Sequence, residues 1–216
     1  LIPPSPALVA ACLEWALLPP DHLVGVEPVR ERAITAEKLA VNSVMAGCLP
    51  EHFPLVVTAF TAMLQPDFLL HGATASTGGC AVLLIINGPI RHQLEMTGTF
   101  NAMGNTDRAS AVVGRAVRLA LINLLDVRPG EIDRSTLGHP GKFSYCLVED
   151  EENSPWSSLA EERLGESGVS AVTAVAAMAP RPVSYTHLRA PETDSEIVCR
   201  RLREKKKGGG GGGGGG

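Results

Sequence analysis

The sequence predicts an α/β fold in a single domain, with helices layered around a small central sheet. Three observations carry this. Ala81–Asn87 is a continuous apolar run of strand length, the pattern of a strand buried on both faces. Two shorter runs, near 143–148 and 169–178, read as further buried strands. Between and before these strands lie segments whose apolar residues recur at helical spacing.

Taken in order, residues 6–18 are apolar and predict a helix stopped by Pro19-Pro20, and residues 21–33 read as a polar connector. Thr35 is a candidate N-cap for a helix through Ala46, whose stripe is Val41, Val44, Met45 and Cys48. A second helix, about 50–64, turns Phe53, Val56, Val57, Phe60, Met63 and Leu64 inward. Residues 68–80 pass from apolar to small and polar, which suggests an extended segment and a flexible loop. Gly88-Pro89 ends the 81–87 strand, and a short helix to Leu94 follows. A Gly- and Asn-rich loop, 97–107, then feeds a long helix at about 106–125 with Asn105 or Thr106 as its cap. A Pro/Gly-rich connector leads to the 143–148 strand, an acidic turn at 149–152, a short helix within 155–164 and the closing strand.

The ends read differently from the middle. Residues 1–34 are expected to be a linker and partial N-terminal helix of a truncated chain, and 35–180 the domain itself. Residues 183–216 resemble translated sequencing-adapter read-through ending in nine glycines, a metagenomic fragment's tail to be set aside from fold reasoning. The whole chain has 19 basic and 23 acidic residues. Without the tail's seven basic and four acidic residues, 12 stand against 19, a net −7. Such a domain argues against nucleic acid as a partner. No apolar run reaches the roughly 18 residues of a membrane span, so no membrane is expected as a partner either. The cysteines are widely spaced with no C-x-x-C pair, which predicts a cytoplasmic protein with neither a metal nor a cofactor. Self-association into a homo-oligomer is compatible with the pattern.

Three places carry candidate chemistry. Cys48 sits where one helix ends and another begins, near free N–H groups, with His52 one turn on. That setting is expected to lower the thiol pKa, although the same residue fits a packed small hydrophobe. The 97–108 loop, with Asn101, Asn105 and Arg108, and Arg115 on the following helix, suggests a cradle for a small anionic substrate. Gly138-His-Pro-Gly-Lys142 places His139 and Lys142 in a tight turn. His71, Asn87, Arg91, His139 and Lys142 are expected to gather at one rim of the sheet, where ligands bind in open α/β folds.

Four segments are similar to a known family when taken together: Lys38–Phe53, Leu84–Arg91, Asn105–Leu119 and Gly138–Cys146. Over about residues 30–178 they resemble bacterial proteins associated with the UGSC (selenocysteine or cysteine motif) domain. The family pattern matches at Asn42, Cys48, Asn87, Arg91, Arg108, Arg115 and Lys142. The resemblance implies thiol or selenol redox chemistry. It also implies a UGSC-type redox domain upstream or in trans, because no Gly-Ser-Cys motif occurs in this chain.

The leading expectation is therefore a thiol-dependent oxidoreductase domain, with Cys48 as nucleophile and Arg91, Arg108 and Arg115 holding an anion. A second is a non-catalytic binding or scaffold domain with Cys48 packed. A third is a hydrolase or lyase using His139, with Asn87 as an oxyanion donor.

Overall fold

A computed structural model describes residues 1–104 and 106–180, together with the backbone of 197–201. The first helix, α1 (Pro6–Ala16), starts as its sequence dictates: the Ser5 side chain accepts from the Leu8 N–H, and Pro6 occupies the first turn. Its Val9, Cys12 and Leu13 belong to the same apolar core as the rest of the chain. The boundary expected at residue 35 thus falls inside one packed unit.

Residues 21–33 are not a connector. They hold β1 (Leu23–Glu27) and the first half of β2 (Arg32–Thr35), an antiparallel hairpin. Its turn is held by the Glu27 carboxylate, which accepts from the N–H groups of Val29 and Arg30 at 3.3 and 2.8 Å. Four- and five-residue strands around Pro28 give too short an alternation to stand out.

Thr35 caps α2 (Ala36–Ala46) as expected, and Gly47 ends it in the left-handed conformation. A short turn at Pro50–His52 leads into α3 (Phe53–Met63). Phe53, Leu55, Val56, Ala59, Phe60, Ala62 and Met63 are all fully buried. Helix α3 is apolar on nearly every side because it packs against α1, α2, the hairpin and the sheet. Each of its buried large side chains contributes about 1.5–3 kcal/mol.

The segment expected to be extended after residue 66 is instead a turn at Pro66–Phe68 and α4 (Leu70–Thr74). No single helix among the described residues is long and apolar enough to cross a membrane. Pro50–Met63 and Pro66–Thr74 pass that test only as a pair, and the two are bent by 80°.

Strand β3 (Ala81–Asn87) lies where the sequence puts it. It is followed by α5 (Ile90–Gln93), the long α6 (Arg108–Leu125) and β4 (Cys146–Val148). Then come α7 (Leu159–Leu164), β5 (Ala171–Ala177) and β6 (Ile197–Arg201). The sheet order is β4-β3-β5-β6. Strand β4 runs parallel to β3 with Leu84 opposite Cys146, while β5 is antiparallel to β3 from Ala81–Ala177 to Asn87–Ala171. Strand β6 comes from the segment set aside in the sequence and pairs antiparallel with β5. The other residues of that segment lie outside the described ones.

Burial of β3 is uneven. Leu84 and Ile86 face the main core, whereas Ala81, Leu83 and Ile85 join Tyr145, Leu147 and Val175 in a thinner cluster on the opposite face. Gly114 brings α6 close against β4: a side chain there would meet Ser144 Oγ at 2.5 Å and the Tyr145 nitrogen at 2.7 Å.

Candidate functional site

The antiparallel pair α2 and α6 accounts for two expected site residues, Arg108 and Cys48, and for Asn42 of the family pattern. At one end the Arg108 guanidinium donates to the Gly47 carbonyl at 3.0 Å. Next along the seam the Cys48 thiol donates to the Val112 carbonyl at 3.6 Å. Further on, Asn123 donates to the side chain of Asn42 at 2.6 Å, and Asn42 donates to the Lys38 carbonyl at 2.8 Å.

The environment expected to activate Cys48 does the reverse. The residue is buried, and its own N–H closes the end of α2 by donating to Ser43 at 3.0 Å. Burial first, then the neighbouring Cys12, push its pKa well above the ordinary thiol value, with Arg108 pulling weakly the other way. His52 is no imidazolium partner. Its Nδ1 accepts from the Leu49 N–H at 3.1 Å, and burial lowers its pKa. Cys146 is pushed up in the same way by burial, Asp107 and Cys48.

The helix start expected to bind an anion already holds one. Asp107, not Asn105 or Thr106, caps α6, accepting from Ser110 at 2.7 Å and from Thr97 across the loop at 3.0 Å. Asn101 takes a left-handed conformation and accepts from the Gly104 N–H at 2.7 Å. Asn105 lies outside the described residues.

The expected rim is split between the two ends of the sheet. At the carboxyl ends of β3 and β4, Asn87 donates to Glu149 and Glu151, both at 2.7 Å. Arg91, only 5% exposed, donates to the carbonyls of Gly88 and Glu149 and to the carboxylates of Glu151 and Glu152. This arrangement holds the acidic turn onto the strand ends. Burial alone would lower the Arg91 pKa, but the glutamates around it raise it. The Arg91 hydrogen bond likewise holds the Glu152 carboxyl at about 2. The basic groups here, Arg91 and His92, have their carboxylates, whereas the Asn87 Oδ1 is buried without a hydrogen-bond partner.

His139 and Lys142 lie at the other end, because their turn precedes β4 and β4 runs parallel to β3. Ser135 donates to the Gly78 carbonyl at 2.7 Å and Thr136 to Thr77 at 3.2 Å, which seats this loop just before β3. The pairing of His139 with Asn87 as an oxyanion donor is thereby excluded. Around the loop opens a cleft of about 750 Å³, lined by Arg118, Asp133, Ser135, His139 and Lys142 with Pro129, Leu137 and Pro140. A narrow cavity of about 20 Å³, room for a single water, continues inward past Cys80 and Thr74.

Asp133 centres the cleft wall. Arg118 donates to its Oδ2 at 3.0 Å, Lys142 to its Oδ1 at 2.8 Å, and the Ser135 hydroxyl to the same Oδ1 at 2.8 Å. Burial pushes this carboxyl up, but the Lys142 and Ser135 hydrogen bonds outweigh it and bring the pKa down to about 2. Arg115 stacks on the Phe143 ring at 4.1 Å, and burial followed by the charge of Arg118 lowers its pKa. Arg118 and Asp133 are the residues that sequence reasoning missed. The available signal was Asp133-Arg-Ser135, a side-chain-capped turn in which the Ser135 N–H approaches Asp133 at 3.3 Å.

Among the described residues, no group of three or more His, Cys, Asp or Glu side chains is placed to hold a metal ion. Comparison of the chain with protein-family models, curated proteins and solved structures finds no match.

Proposed function

We propose that this domain binds a small anionic molecule in the cleft at the amino ends of β3 and β4. The supporting observation is the meeting of Arg118 and Lys142 on one carboxylate, Asp133, in the cleft wall. Two cations against one anion leave a local positive charge, and Arg115 stands close enough to Arg118 to add to it. A cleft of this size suits a small ligand. Lys142 keeps further N–H donors beyond the one given to Asp133, and Arg118 keeps several of its five.

On this reading the small anionic substrate sits in the cleft rather than on the 97–108 loop. The redox step implied by the UGSC resemblance belongs to a separate module, and Cys48 packs the α2–α6 seam. Calorimetric titration with inorganic phosphate and with acetate tests the proposal. The expected result is saturable binding weakened at least tenfold by Lys142→Met or Arg118→Met. Absence of binding, or binding indifferent to both substitutions, overturns it.

A further inference from the structure

We infer that the anion taken by this cleft carries an apolar chain, its charged head seated on Arg118 and Lys142 and its chain lying across Leu137, Pro140 and Ala179. The inference rests on the anion-binding reading of the cleft and names its ligand class, an amphipathic carboxylate.

Its starting point is an inversion of the usual layering. Lysine and arginine ordinarily lay their stems on apolar ground and keep their charged heads in water. Here the charges lie deep: the side chain of Arg118 is 13% exposed, that of Lys142 17% and that of Asp133 4%. The apolar residues lining the same cleft, Pro129, Leu137, Pro140 and Ala179, are all exposed, Leu137 by 96%. A polar base under an apolar rim matches a molecule charged at one end and hydrocarbon at the other.

A single exposed leucine would call for no explanation. This one stands in company. Met178, itself 58% exposed, sets its Cε 3.6 Å from the point where a side chain on Gly79 would begin, and Gly138 stands 4.0 Å from the same point. The end of β5 and the Leu137–Gly138 turn therefore meet across Gly79, beside Ala179 of the cleft lining. Lys142 joins base to rim, because its Cδ and Cε pass 3.5 and 3.8 Å from where a side chain on Gly138 would begin. Its methylenes give a bound chain an apolar path from the head outward.

The rim is set by the fold before a ligand arrives. Ser135 and Thr136, the two residues ahead of Leu137, are bonded to the carbonyls of Gly78 and Thr77, and the Tyr145 hydroxyl donates to the Met178 carbonyl at 3.3 Å. A chain laid there buries apolar area without the cost of ordering a loop. The acidic balance of residues 1–182, 12 basic against 19 acidic, disfavours an anionic membrane as the bearer of that chain.

The test titrates the full chain calorimetrically with acetate, butyrate, hexanoate and hexan-1-ol. Affinity is expected to rise along the acids, with hexanoate at least about tenfold tighter than acetate, because each methylene buried on the rim adds to binding. Hexan-1-ol has the chain without the charge and should bind at least about tenfold more weakly than hexanoate. Leu137→Ser, at a position almost fully exposed, should lower the hexanoate-to-acetate ratio at least about threefold, whereas Lys142→Met should weaken both acids together. Equal affinity for the acids, or a ratio indifferent to Leu137→Ser, overturns the inference and leaves the anion reading standing. Hexan-1-ol binding as tightly as hexanoate overturns it too, since the chain would then bind without its head. So does binding to phosphatidylglycerol vesicles that Leu137→Ser removes, with no preference for hexanoate over acetate, which would assign the rim to a membrane surface. If none of the acids binds and phosphate does not bind either, the anion reading falls and takes this one with it.

Discussion

Arg108 lies in the first turn of α6, and its guanidinium is bonded to the carbonyl of Gly47, the residue that closes α2. A cation at a helix start works against that helix's dipole. Here the same charge sits at the negative end of the neighbouring antiparallel helix, where it is favourable. The contact joins residues 61 apart in sequence and accounts for the placement of Arg108 without a ligand.

Replacing Arg108 by Ala should therefore cost stability rather than binding. A hydrogen bond from a charged group contributes about 1.5–3 kcal/mol, and relief of the opposed dipole returns a few tenths. A net loss of about 1–2 kcal/mol is expected in urea unfolding, with an unchanged slope. Phosphate affinity should stay within twofold. A variant with an unchanged unfolding midpoint and lost affinity would return Arg108 to the ligand site.

The elements legible in the sequence are those specified by their own neighbours. Ala81–Asn87 announces itself by seven residues of unbroken pattern, and Thr35 by its place before an amphipathic stripe. The hairpin is hidden because its strands are brief and its turn is held by the Glu27 side chain rather than by a glycine-asparagine pair. The site was misplaced for a different reason. The sequence displays the charges of Arg91 and Arg108 but not the partners that neutralise or hold them, which lie about 60 residues away. Only the fold reveals that Arg91 is enclosed by glutamates while Lys142 and Arg118 outnumber Asp133.

The thiols give a second prediction. Cys12, Cys48 and Cys146 are buried, whereas Cys80 is partly exposed beside the narrow cavity, its thiol donating to Ala73 at 3.2 Å. Burial raises the pKa of Cys12 to about 11, and those of Cys48 and Cys146 further. Among these four, alkylation of the native protein near neutral pH should reach Cys80 first. Cys48 should react only at the rate of unfolding, and denaturant should accelerate its labelling by orders of magnitude. Mass spectrometry of timed samples reads this directly. Rapid native labelling of Cys48 would restore the thiol mechanism.

The third prediction concerns acid. Asp133 has a folded pKa of about 2 against an ordinary value of 3.8, so its carboxylate is favoured by the folded state. A depressed pKa adds stability that is fully present above the unfolded value and disappears as pH falls through the folded one. The window is thus about pH 3.8 down to about 2. A shift of this size corresponds to about 2 kcal/mol for a side chain only 4% exposed. Lys142→Met removes the hydrogen bond and charge that lead the lowering, leaving burial to push the carboxyl back up. The variant should be less stable than the parent at pH 6, and the gap should narrow as pH falls to 2.5. Glu152 titrates low as well, but it is held by Arg91 at the other end of the sheet, so its contribution is common to both proteins and cancels in the difference. Denaturant midpoints at pH 6, 4, 3 and 2.5 supply the comparison. A gap that stays constant across the series would mean that Lys142 does not hold Asp133 in its charged form, and the cleft would then have lost the pairing on which its positive character depends.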